Sequence, residues 1–323
     1  MITRRFFFPA LVSALAFSLH ALPVVAQQAE VTAKIDSQVQ ERIHGFQGSV
    51  SIYAKNLETG ISYGLRADEP VPTASTIKLP IMAELFFEAS EGKLDWNQKL
   101  KLTDDEKVSG SGVLRELSSG DELPIRDLMH LMIVVSDNTA TNLILHRIGG
   151  NAVNARMEKL GLTQTAVMHD IMEKKVVPSG SEAAGPTGLT SEGAKPGNAK
   201  WDTGRSCPHD MVNILEMLYR GQLVDKQASD EMIAVLKRQQ YHEGVGRNMI
   251  GTVVASKSGA LDHLRSDVAI VYSQHGPIAM AITANDIPQI NYRTDNPGNI
   301  LVSDLSNILV QGLASPENSM PTK

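Results

Sequence analysis

Apolar residues recur at helical spacing over residues 29–44 (Val31, Ile35, Val39, Ile43), which predicts a helix. The pattern then switches to alternation. Gly48–Asn56 (Val50, Ile52, Tyr53) reads as a strand, Glu58-Thr59-Gly60 as a turn, and Ile61–Arg66 as a returning strand. From 71 to 148 the pattern is mostly helical. An apolar run over Ile81–Phe87 predicts a helix buried nearly all round. After a polar connection with Gly110, Gly112 and Gly120 come helices at about 125–134 and 139–148, the second ending in Gly149-Gly150. A short helix at 151–160 ends at Gly161. Residues 177–206, with six glycines and three prolines, read as a long structureless stretch. Helices follow at 208–220 and 227–240, then a strand at 252–260, a hairpin of Ser266–Ser273 and Pro277–Ala284, and a helix at 299–313. Strands therefore lie early and late, with helices between. The expected class is α/β of the α+β type: one antiparallel sheet built from both ends of the chain and flanked by the terminal helices. The sheet unit would comprise 27–70 and 210–323, and the inserted, mostly helical unit 71–209. The default site is the cleft where they meet.

Residues 1–26 break the globular pattern. Arg4 and Arg5 precede a mostly apolar stretch, Phe6–Val25, and Val24-Val25-Ala26 offers small residues for cleavage. This is the pattern of a secretory signal peptide, with an uncleaved anchor as the alternative that His20 and Pro23 argue against. The expected location is periplasmic or secreted. Removing this segment takes away both arginines and no acid, moving the formal charge from −6 to −8. A protein this acidic is a poor partner for nucleic acid or an anionic membrane. Cys207 is the only cysteine, so no internal disulfide can form; preceding Pro208 at a helix start, it reads as structural. No histidine pair has metal-ligand spacing, and neither a metal nor another cofactor is expected. The default assembly is a monomer.

Against this background three short motifs stand out. Ser75-x-x-Lys78 opens the buried helix, with Pro80 in its first turn, where proline is tolerated. Residues three apart share a helix face, so hydroxyl and amine come within reach of each other. A serine at a helix start lies among unpaired N–H groups that stabilise negative charge, and a desolvated lysine can take its proton. Alone the motif is weak, since about one match is expected by chance. Indeed Ser90-Glu-Gly-Lys93 also fits, in a polar helix end. Ser136-Asp137-Asn138 lies between two helices and reads as an N-cap cluster; Ser136 could also pass a proton to a leaving nitrogen, and Asn138 could bond a substrate amide. Lys257-Ser258-Gly259 ends a strand. Lys257 and Ser258 offer a cationic, hydroxyl-bearing edge for an anionic group. Gly259 allows close backbone approach, and the Ala260 N–H would complete an oxyanion hole with that of Ser75.

These three motifs, in this order, resemble those of serine β-lactamases and penicillin-binding proteins, and their spacing looks most like class A β-lactamases. The resemblance spans essentially the whole mature chain and implies a β-lactamase/transpeptidase-like fold. It implies that Ser75 attacks the β-lactam carbonyl to form an acyl-enzyme, that Lys78 activates it, alone or through a water-bridged glutamate, and that Ser136 carries the proton to the ring nitrogen. Lys257 and Ser258 would hold the substrate carboxylate, with Arg265 as a helper.

One feature departs from the family. Class A enzymes carry an E-x-x-L-N stretch whose glutamate activates the deacylating water. This chain has none, and an ungapped count from Leu160-Gly161 puts Ile171 at that place. Glu173 is the expected substitute base, with Asp170 and Glu182 as alternatives. Three readings compete: a β-lactamase acting on small-molecule β-lactams, a D,D-peptidase or esterase acting on peptidoglycan-like substrates with slow deacylation, and a peptidoglycan-binding module without turnover.

Overall fold

The computed structural model describes residues 21–171 and 188–314. Glu173, Glu182 and residues 1–20 of the N-terminal segment lie outside the described residues, as does the first part of the glycine-rich stretch.

In chain order the elements are α1 (Ala21–Ile43), β1 (Ser49–Asn56), β2 (Ser62–Leu65), β3 (Val71–Pro72), a 3-10 turn (Ala74–Ile77), α2 (Lys78–Ser90), β4 (Lys99–Lys101), β5 (Glu122–Pro124), α3 (Ile125–Val134), α4 (Asn138–Ile148) and α5 (Gly150–Lys159). They continue with β6 (Ala166–Val167), a 3-10 turn (Asn198–Trp201), β7 (Gly204–Ser206), α6 (Pro208–Tyr219), α7 (Lys226–Leu236), β8 (Val253–Leu261), β9 (Leu264–Ser273), β10 (Gly276–Asn285) and α8 (Pro297–Leu313). The expected sheet is present. It is antiparallel, in the order β2-β1-β10-β9-β8.

The strand period of two divides the hydrophobic interior. Along β10, Ile278, Met280, Ile282 and Ala284 join the core beneath α1 and α8, together with Ile35, Val39, Leu301, Leu305 and Leu309. The intervening Ala279 and Ala281 face the second core, with Val268 and Ile270 of β9 and the apolar positions of α2, α3, α4, α6 and α7. Both faces of the central strands are covered, which is why β9 and β10 read as nearly continuous apolar runs. As expected, α2 is buried all round: Leu79, Ile81, Met82, Ala83, Leu85 and Phe86 are at most 4% exposed.

The structure corrects several expectations. The glycine-rich stretch is not structureless at its end, because β7 pairs with both β3 and β6. Gly204 marks close packing there rather than looseness: a Cβ would stand 2.7 Å from both Ile77 Cγ1 and Thr73 Oγ1. The short strands β3 to β7 span only two or three residues each, too few for a period to show in sequence. The helix expected at 227–240 stops at Leu236. Beyond it the Gln239 side chain accepts from the backbone N–H groups of Gln240 and Tyr241 at 2.9 and 3.1 Å, turning the chain away.

Candidate active site

The helix expected from Ser75 begins as an α-helix only at Lys78. Ser75 sits in the preceding 3-10 turn, entered through Ala74 at φ +48°. A non-glycine residue in that region is strained and persists only where its surroundings fix it. Here β8 does so. A Cβ on Gly259 would lie 2.7 Å from Thr73 O and 3.1 Å from Ser75 N, so only a glycine lets the strand lie against this turn. That contact brings the Ser75 N–H close to the strand end that carries the Ala260 N–H.

The Ser136-Asp137-Asn138 turn forms the opposite wall. Asp137 caps α4, its Oδ1 accepting from Ala140 N at 2.8 Å. Its Oδ2 accepts from Val113 N and Leu114 N at 2.6 and 2.8 Å, fixing the 109–114 connection that presents Ser111 to the site. Ser136 adopts φ +52° and is 3% exposed.

Two buried amines converge on Ser136. Lys78 Nζ contacts Ser136 O at 2.7 Å, Asn138 Oδ1 at 2.8 Å and Ser136 Oγ at 3.2 Å. Lys257 Nζ donates to Ser136 Oγ at 3.0 Å and to Ser258 O at 2.7 Å. Both lysines are 0% exposed. Burial pushes the Lys78 amine well below the usual lysine range, and the charge of Lys257 adds to this against the opposing pull of Asp137. Burial brings Lys257 down to about 7, against the pull of Asp267. With Lys78 neutral the geometry is satisfied in one direction: Lys257 donates to the Ser136 hydroxyl, which donates to Lys78 Nζ, which donates to Ser136 O and Asn138 Oδ1.

This differs from the sequence expectation in one respect. Among the described residues no hydrogen bond joins the Ser75 hydroxyl to Lys78. A fully desolvated amine is better satisfied by three fixed hydrogen-bond partners than by one hydroxyl at the edge of a cavity. Asn138 is likewise engaged, its Oδ1 by Lys78 and its Nδ2 by Ser109 O at 3.0 Å.

Two cavities meet at Ser75. One, of about 260 Å³, is also lined by Ser136, Ser258, Gly259 and Ala260. The other, of about 380 Å³, is lined by Asn138, Ile171 and Thr203 together with Ala260. Ser75, Ser136, Ser258, Gly259 and Ala260 thus surround one space, with the Lys78 and Lys257 amines beneath it. Arg265 borders it too, but its guanidinium donates to Leu261 O and Leu264 O, each at 2.6 Å, and to Asn291 O, and lies over the Tyr292 ring. It braces the β8–β9 turn.

On the other side of Ser75 stands Ile171, the residue that the ungapped count from Leu160-Gly161 reaches. Ile171 is 4% exposed and lines the second cavity, with its backbone N–H and C=O both bonded to the Asn142 amide at 2.8 and 2.9 Å. Asp170 lines neither cavity. Its carboxylate meets His146 Nε2 at 2.7 Å and packs against Gly188. The second cavity has no carboxylate among its described lining residues.

Sequence reasoning missed Asn142, Tyr241, Glu243 and Asp267. Only Asp267 carried a usable signal. Counting across the hairpin pairs Gly259 with Ser266 and therefore Ser258 with Asp267.

A family model described as the beta-lactamase enzyme family matches residues 34–313. Beta-lactamase CARB-3 of Pseudomonas aeruginosa is 23% identical over 83% of this chain and 88% of its own. Among solved structures, a beta-lactamase from Sphaerobacter thermophilus superposes with TM-score 0.72 at 24% identity, over 87% of this chain and 97% of that one. A mutant of PBP-A, solved as its acyl-enzyme complex with penicillin G, gives TM-score 0.70 at 21% identity, over 89% and 96%.

Proposed function

Because the chain belongs to the beta-lactamase enzyme family, we propose that it is a serine hydrolase that opens β-lactam rings through an ester on Ser75. The observation that carries this reading is the convergence of two buried lysine amines on one serine hydroxyl, Ser136 Oγ, at the wall of the cavity that holds Ser75. Ser75 Oγ bonds to the lactam carbonyl carbon, the developing oxyanion is held by the N–H groups of Ser75 and Ala260, and the C–N bond breaks. The hydroxyl proton goes to the neutral Lys78 amine once the substrate displaces its resting contacts. Ser136 delivers its proton to the ring nitrogen and takes a replacement from the protonated Lys78, 3.2 Å away, while Lys257 and Ser258 hold the substrate carboxylate.

The chemistry of the second half is less complete. Water must attack the ester; the ungapped count reaches Ile171 at the place of the family's glutamate, and Glu173, the expected substitute, lies outside the described residues. The missing E-x-x-L-N stretch keeps a second reading open: an enzyme that acylates quickly and deacylates slowly, as a D,D-peptidase meeting a β-lactam would.

The test is a chromogenic cephalosporin followed by colour and intact mass together. We expect a mass increase that Ser75→Ala abolishes; absence of any adduct on the wild-type protein would overturn the reading. Colour continuing past one equivalent marks the hydrolase, and one equivalent with a stable adduct marks the slow deacylator. In the latter case Ile171→Glu places a carboxylate against the cavity and should raise turnover at least about tenfold, as general bases do.

The signal-like N-terminal segment supports a periplasmic or secreted location, and a monomer is the default assembly. N-terminal sequencing of protein from fractionated cells should begin near Gln27, and light scattering should give the mass of one chain.

A further inference from the structure

Past Ser258 the cavity that holds Ser75 continues to a second wall, made by Tyr241, Glu243, Gly244 and Asp267. Asp267 lies opposite Ser258 in the β8–β9 register and is 1% exposed. Its Oδ2 accepts from Val245 N at 3.0 Å, while its Oδ1, also buried, has no hydrogen-bond partner. The 241–244 loop presses directly onto this carboxylate, since a Cβ on Gly244 would stand 2.5 Å from Oδ2. Glu243, partly buried beside it, makes no hydrogen bond or ion pair among the described residues.

The cations nearby are already committed. Arg265 is held by three backbone carbonyls, and Lys257 by Ser136 and Ser258 O. Burial pushes the Asp267 carboxyl up to about 7 despite Val245 N–H and Lys257, and Glu243 adds to the rise. A buried carboxylate oxygen without a donor is costly, and two carboxylates sharing a wall raise that cost unless positive charge meets them.

We propose that Glu243 and Asp267 form a subsite for a cationic group of the substrate, a quaternary ammonium or pyridinium carried on the ring atom next to the one bearing the carboxylate. With the carboxylate at Lys257 and Ser258, a substituent one atom further along would have this wall of the same cavity within reach. The proposal rests on the acylation of Ser75.

The test uses two cephalosporins with the same acylamino side chain, one with a 3-pyridiniomethyl and the other with a 3-acetoxymethyl group. The readout is the ratio of their kcat/KM values, or of their acylation rate constants if deacylation is slow. Comparing each variant's ratio with the wild-type ratio cancels the compounds' intrinsic reactivity. The ratio should fall about fivefold in Glu243→Gln and further in Glu243→Lys, the scale of a partly screened ion pair. Asp267→Asn, which keeps the acceptor for Val245 N, should lower it as well. Should Asp267→Asn fail to fold, the two Glu243 variants decide. A ratio within twofold of wild type in both Glu243 variants overturns the subsite. The mass increase on wild-type protein with the acetoxymethyl compound tests the nucleophile separately: if it is absent, the failure belongs to the catalytic reading.

Discussion

At the scale of single residues, the site depends on two lysines that must carry different charges at the same time. Lys78 can accept a proton only when neutral, and Lys257 can hold a carboxylate only when charged. Burial lowers both, and the charge of Lys257 pushes Lys78 further down; the mechanism needs Lys78 to be the first of the two to lose its proton. The sign follows. Below the Lys78 pKa the base is protonated and acylation slows; as pH rises through about 7, Lys257 loses its proton and its hold on the carboxylate. Acylation of a carboxylate-bearing β-lactam should therefore trace a bell whose alkaline limb falls near neutrality. The same measurement on a carboxyl-esterified substrate should lose that limb. A flat rate for the free acid between about pH 6 and 9 would show that Lys257 stays charged in solution. The four residues of this relay were legible because short motifs carry them. Glu243 was not, and Asp267 only by counting across the hairpin, since the folded hairpin and the 241–244 loop are what bring the two to the same cavity. Asp170 shows the converse: a carboxylate in the expected region of sequence that His146 holds away from Ser75.

Between elements, the decisive contact is β8 lying against the 3-10 turn of Ser75. Gly259 and Gly204 are two points where a side chain would not fit, and both meet the Thr73–Ile77 segment. Gly259 was expected to let a substrate approach the backbone, and what the structure sets against it is the nucleophile's own turn. Gly259→Ala should force the strand away from Ser75, at an overpacking cost of about 1–3 kcal/mol. Displacing an oxyanion donor should slow acylation about 10²–10³-fold. Stopped-flow acylation and a thermal melt on the same sample check both; an unchanged acylation rate would mean that the Ala260 N–H is not a donor to the oxyanion. The end of the glycine-rich stretch was misread for a related reason. Composition suggests loose chain there, whereas Gly204 lies where β7 is squeezed between β3, β6 and Ile77.

For the molecule as a whole, the sheet was readable from the chain because alternation and helical spacing are imposed locally. The sheet order and the division of apolar residues between two cores came only with tertiary structure. Cys207 links this scale to the others. Its Sγ caps α6 by accepting from Asp210 N at 3.4 Å, it is 2% exposed, and burial raises its thiol to about 12. The protein thus carries a single, chemically silent thiol at the start of a helix that packs on β1 and β10. A maleimide should leave the native protein unmodified over hours and react stoichiometrically in denaturant, so that its rate under native conditions times the opening of that helix from the sheet. Rapid labelling of the folded protein would contradict the buried cap. For the same reason, a cysteine introduced anywhere on the exterior would be the sole target of a fluorophore, giving an optical handle on the cavity without first removing a native sulfur.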